Sequence, residues 1–121
     1  MKNEIFRHGD MVIFRVAKPE VTDATNTKVA IETKLAVGLG EVTGHSHEVI
    51  ALDDSKIIIA GYDSAEVKEL AISNNLSFEI KGTAVIMHEE HGPIILEEGY
   101  YIRTVQRQYN PFTKTLEKIK D

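Results

Sequence analysis

The sequence predicts a mainly β protein, a small antiparallel β-barrel or sandwich with one short helix. Three observations carry this. Isoleucine, valine and threonine are abundant while proline is scarce, with 3 in 121 residues, which favours strands in a chain this short. Short apolar segments recur between turn-forming clusters of Gly, Asp and Asn, as in β-rich folds. A single window, Asp63 to Asn75, changes to helical spacing.

Taken in order, the Gly9-Asp10 turn introduces MVIFRVA, where Val12, Phe14 and Val16 alternate with Met11, Ile13 and Arg15; this is the first predicted strand. KPEVTDATNTK has no periodicity and reads as a loop. From Val29 to Leu39 the pattern is strand-like again. Gly38, Gly40 and Gly44 mark a bulge, a bend or a close backbone approach. HEVIAL continues as a strand to Leu52, and Asp53-Asp54-Ser55 predicts a hairpin turn into KIIIA. In the helical window Val67, Leu70 and Ala71 fall at i, i+3 and i+4. Asp63 and Glu66 make a capping box, so about two turns of helix are expected. Asn75-Leu76-Ser77 matches a glycosylation sequon, set aside for want of a secretory signal. LSFEI, a Lys81-Gly82 turn and TAVIMHE read as two strands, broken at Gly92-Pro93. IILEEGYYIRTVQRQY predicts a last hairpin turning at Glu97-Glu98-Gly99, with one face formed by Tyr101, Arg103, Val105, Arg107 and Tyr109. That face is expected to be solvated, the opposite one to pack inward.

The length is that of one domain, expected to span residues 1–121. No apolar run approaches the roughly 20 residues that cross a bilayer, so no membrane partner is expected. MKNEIFRHGD lacks the apolar segment of a signal peptide, which makes the cytoplasm the expected location. With no cysteine, disulfides, thiolate metal ligands and cysteine nucleophiles are excluded, and any metal must be held by imidazole and oxygen. The net charge of -5 argues against a general nucleic-acid coat protein. The basic residues Arg103, Arg107, Lys114, Lys118 and Lys120 outnumber Glu117 and Asp121 at the end of the chain, where a local anion contact stays open.

The chemistry concentrates in two stretches, GEVTGHSHEV (Gly40 to Val49) and MHEEHGPI (Met87 to Ile94), which hold four of the five histidines. Side chains alternate along a strand, so His45 and His47 share a face, a metal-ligand arrangement. Side by side, the two stretches would gather His45, His47, His88 and His91 around a divalent transition metal. The all-imidazole set favours zinc. Four ligands would close the site and make it structural; three, with Glu48 or Glu89, would leave a position for water or a small-molecule substrate. His88 and His91 are three apart, so the chain must turn at Gly92-Pro93 for both to bind. The HEEH run is not the helical protease motif, which needs His at i and i+4. If the protein is an enzyme, metal-activated hydrolysis with Glu48 or Glu89 handling the proton is the expected reaction. The alternative is a non-catalytic accessory module whose histidines brace the fold while Arg103 and Arg107 contact a protein partner or nucleic acid. Exposed edge strands leave a homodimer open without selecting it.

Three segments, Arg7 to Val16, Gly40 to Val49 and His88 to Pro111, carry a resemblance to a family of small bacterial and phage-encoded proteins. Its members open with an Arg-Gln-Gly-Asp-type turn, carry GEVTGHxH, and end with HEEHxPIxLxxGxYxVxRQREYxP. Here His8 replaces the glutamine, and Tyr62 to Asn75 looks like an addition. The resemblance implies that the His clusters form one site and implies no reaction. A weaker likeness is to cupins, metal-holding β-barrels with an HxH pair. The glutamate that pattern requires is absent, Ala51 and Leu52 standing in its place, and the histidines precede Gly92-Pro93 rather than following it.

Overall fold

In the computed structural model, residues 3–18, 28–39, 46–88 and 90–105 are described. Ten strands form two antiparallel sheets: β1 (Asn3–His8), β2 (Met11–Val16), β3 (Val29–Glu32), β4 (Lys34–Leu39), β5 (Ser46–Ala51), β6 (Lys56–Ala60), β7 (Asn75–Lys81), β8 (Ala84–His88), β9 (Gly92–Leu96) and β10 (Gly99–Val105). The six-stranded sheet has the order β1-β2-β10-β7-β6-β3 and the four-stranded sheet β4-β5-β8-β9. The architecture is therefore a sandwich of two open sheets, not a closed barrel. No helix of the described residues is long and apolar enough to cross a membrane.

Period-2 alternation builds the core. Ile57 and Ile59 of β6, Leu76, Phe78 and Ile80 of β7, and Tyr101 of β10 face Leu35 and Val37 of β4, Val49 of β5, Ala84 and Ile86 of β8, and Leu96 of β9, all buried. Pro93 lies on the edge strand β9, a place where its missing N–H interrupts no interior ladder.

Several turns read as hairpins or pauses are instead corners where the chain changes sheet. The single predicted strand over Val29 to Leu39 divides at Thr33 into β3 and β4, which lie in different sheets. Asp53-Asp54-Ser55 joins β5 to β6, and Glu97-Glu98 joins β9 to β10, again across sheets, so neither predicted hairpin forms. The link from β7 to β8 at Gly82-Thr83 does the same. The corners bond to one another: the amides of Ala51 and Leu52 donate to the carbonyls of Thr33 and Thr83 at 2.8 and 2.9 Å. The Thr83 amide donates to Ser55 Oγ at 2.8 Å, and the Gly82 amide to Glu98 Oε1 at 3.0 Å. Such ties satisfy backbone groups that leave a ladder at a corner.

The predicted helix is one α turn, α1 (Ser64–Val67), followed by a 3-10 helix over Lys68–Ile72. The capping box is present: the Glu66 amide donates to Asp63 Oδ1 at 2.9 Å and the Asp63 amide to Glu66 Oε1 at 3.0 Å. Val67, Leu70 and Ala71 are its buried residues, and the 3-10 helix packs against β4.

Arg103 corrects the reading of the last strand. Its face of β10 points inward, and its side chain is fully buried. The guanidinium donates to Leu70 O at 2.6 Å and Ser73 O at 2.5 Å, with a longer contact to Ala71 O at 3.4 Å. The reason is local: a helix end leaves carbonyls without intrahelical partners, and a guanidinium supplies several donors in one plane. Burial lowers its pKa from the ordinary arginine value. Arg103 thus has no surface with which to contact nucleic acid or a protein partner. Arg107 lies outside the described residues.

Candidate functional site

The corners occupy one end of the sandwich, and histidines occupy the other. On β8 the inward row runs Ala84, Ile86, His88, so His88 is the residue where the apolar row gives way to a polar one. The β5–β8 register pairs Ala51 with Ala84 and Val49 with Ile86; continued by two residues it sets His47 opposite His88. Neighbouring strands therefore do bring the two histidine stretches together.

A third strand contributes a histidine that the sequence reading left out of its ligand set. β1 pairs with β2 through a tight turn in which Gly9 has φ 61°, and Phe6 and His8 point inward from it. His8 Nδ1 lies 3.2 Å from His47 Nε2, their ring centroids 4.4 Å apart. The His8 and His88 centroids are 5.9 Å apart, and those of His88 and His91 are 4.6 Å apart. Phe6 meets both His47 and His88 edge-on at 5.9 and 5.3 Å, separating the cluster from the core beneath.

The histidines differ in what holds them. His88 is buried, and its Nε2 sits 2.9 Å from Arg7 O; a carbonyl can only accept, so Nε2 carries the proton. Its Nδ1 then accepts from the Glu90 amide at 3.0 Å and, at 3.4 Å, from the His91 amide. Both nitrogens of His88 thus tie β1 and the β8–β9 turn together. That turn brings His91 back beside His88, as the three-residue spacing required, and leaves His91 exposed. His47 and His8 are half-buried and converge on each other through ring nitrogens.

Glu48 follows His47 in β5, so strand alternation turns its side chain to the outer face of the sheet, where it is exposed. It does not face the histidine rings. His45 and Glu89 lie outside the described residues. Among the described residues, no three His, Cys, Asp or Glu side chains converge as a metal-binding group.

Beside the His8–His47 pair opens a cleft of about 410 Å³ between the two sheets. It is lined by the turn His8-Gly9-Asp10 and His47 together with Met11, Val37, Gly38, Ala71, Ile72 and Val105. Gly38 gives Met11 its place: a Cβ at that position would lie 2.4 Å from Met11 Sδ, so the thioether would have to move aside. The wall contributed by Ala71 and Ile72 belongs to the 3-10 helix that Arg103 anchors.

The fold and this end of it define a two-sheet β-sandwich with an imidazole cluster beside an amphipathic cleft. The chain belongs to the family described as a domain of unknown function (DUF8820), which it matches over residues 7–108. No curated protein and no solved structure matches it.

Proposed function

We propose that this is a divalent-metal-binding β-sandwich protein in which His8 and His47 hold the ion at the cleft. The observation that carries the reading is the 3.2 Å between His8 Nδ1 and His47 Nε2. Two imidazole nitrogens at about 2.0–2.1 Å from a tetrahedral zinc ion stand about 3.3 Å apart, so one ion would replace their mutual contact with little movement. Zinc is the first choice for such nitrogen ligands.

A site with few protein ligands leaves positions for water or substrate, and an ion of this kind lowers the pKa of its water, which makes hydrolysis the reaction class to examine. Asp10, in the cleft lining, takes the proton-handling role assigned from sequence to Glu48 and Glu89. The non-catalytic reading is favoured by one observation, the engagement of both His88 nitrogens by backbone. It assigns His88 to the fold and leaves the His8–His47 pair to the ion.

Elemental analysis and zinc titration of the untagged protein test this. About one equivalent of zinc is expected in the parent, lost in His8→Ala and in His47→Ala with the circular dichroism spectrum retained, and unchanged in Glu48→Gln. A parent that takes up no zinc, or variants that hold it as tightly as the parent, would refute the assignment.

A further inference from the structure

We infer that the outer face of the four-stranded sheet, built on Ile50, Val85, Met87, Pro93 and Ile95, is the surface through which two copies of this chain pair face to face. The inference is independent of the metal reading above.

Three features point there. First, each sheet edge carries a feature that resists the addition of another strand, so a partner must approach a face. β1 is bulged between Glu4 and Phe6, and β4 between Ala36 and Gly38. β9 carries Pro93, and β3, only four residues long, is flanked by α1, with Ser64 Oγ donating to Glu32 Oε2 at 2.8 Å and Lys28 Nζ to Glu66 Oε1 at 3.2 Å.

Second, apolar rows cross this face where it is open to solvent. Ile50 lies opposite Val85 and Val85 opposite Ile95, while Met87 opposite Pro93 starts the next row. Met87 and Ile95 are each 56 % exposed. Val29 and Ile31, on the outer face of the larger sheet, are as exposed, but the outward row of β7, Asn75, Ser77, Glu79 and Lys81, separates them from the apolar residues of β2 and β10, none of which is exposed.

Third, the charge suits a second copy. The chain carries a net charge of -5, so two copies repel unless the contact itself is balanced. The charged residues facing outward from this sheet are Lys34, opposite Ile50, and Glu48, opposite Ala36, and they cancel. An apolar surface with no net charge can meet its own copy across a two-fold axis, whereas it offers nothing to a strongly charged partner. Four strands about 4.8 Å apart and about 20 Å long give a face of roughly 400 Å² in projection. That size belongs to weak, concentration-dependent association.

The test is sedimentation equilibrium of the untagged protein from about 1 µM to about 500 µM, with a chelator present so that metal does not bridge copies. A monomer–dimer equilibrium with a Kd on the order of 10–100 µM is expected, and added salt should tighten it by screening the repulsion between like-charged copies. Ile95→Asp brings a carboxylate from each copy into the contact and should weaken the dimer at least about a hundredfold with the circular dichroism spectrum retained. Val29→Asp, on the outer face of the other sheet, should leave the equilibrium unchanged. If Ile95→Asp loses its fold, Lys34→Glu decides: it leaves the apolar rows intact, makes the face negative in both copies, and should weaken the dimer at least about tenfold at low salt. A parent that stays monomeric at the highest concentration, a dimer that Ile95→Asp or Lys34→Glu leaves as tight as the parent's, loss of the dimer in Val29→Asp, or a dimer that salt weakens would each overturn the inference.

Discussion

Replacing Arg103 by Met keeps most of the side-chain volume and removes the guanidinium, which isolates the polar contribution of a fully buried arginine. Two short bonds, to Leu70 O and Ser73 O, are lost; Leu70 O keeps the Ser73 amide at 3.1 Å and the Ser73 hydroxyl at 2.7 Å, so Ser73 O is the acceptor that depends on Arg103. Leaving one largely buried acceptor unsatisfied costs about 1–3 kcal/mol. Against this stands relief from burying a cation that has no carboxylate partner among the described residues, and whose Nε likewise has none among them. The expected net loss is about 1.5 kcal/mol, or about 6 °C in Tm for a chain of this length. Urea unfolding followed by circular dichroism measures it, and an unchanged m-value would show that the denatured state is not the origin. Amide hydrogen exchange should rise first in residues 68–74. A loss below about 0.5 kcal/mol would refute the argument that Ser73 O depends on Arg103, and Arg103→Lys, with the charge but not the planar fork, should fall in between.

Two further expectations concern the opposite end of the sandwich. Tyr101 is buried, its hydroxyl donates to Glu97 O, and desolvation raises its pKa above the ordinary value near 10. A raised folded-state pKa means stability that is fully present below the unfolded value and lost as pH rises through the folded one. Tyr101→Phe should therefore show a shallower fall in stability above about pH 10 than the parent, and equal slopes would contradict this. Gly82 has φ 100°, and an added Cβ would lie 2.2 Å from Ser55 Oγ, the acceptor of the Thr83 amide. Gly82→Ala should cost at least about 2 kcal/mol by urea unfolding, and a neutral effect would show that the corner relaxes freely.

Alternation made the sandwich legible, because buried rows such as Leu76, Phe78 and Ile80 are set by a local period. The capping box and the meeting of His47 with the MHEEH stretch were legible for the same reason: each depends on spacing within one or two elements. Sheet switching was not, because Asp53, at φ 53°, and Gly82 form tight turns whose chemistry is common to hairpins and corners. His8 was hidden by an unread strand. The signal was present, since a Gly9-Asp10 turn implies a strand before it that mirrors Met11 to Val16 and sets His8 beside Met11. Arg103 was misread because arginine usually marks a wet face, and its real partners are carbonyls some thirty residues away that only the 3-10 helix collects.

The strand order carries one more consequence, for the time course of synthesis. β10 sits between β2 and β7, pairing Tyr101 with both Arg15 and Phe78, so one of the two central strands of the larger sheet is the last of the ten described strands to be made. Until Val105 has left the ribosome, β1 and β2 form an isolated hairpin with no wider sheet to join, and such a hairpin is at best marginally stable in water. A nascent chain arrested before β10 emerges should be open to protease, and one tethered by an added C-terminal linker long enough to free β10 from the ribosome should resist it. Folding of this chain is thus expected to be a late, nearly single event, not a stepwise growth from the N-terminal hairpin.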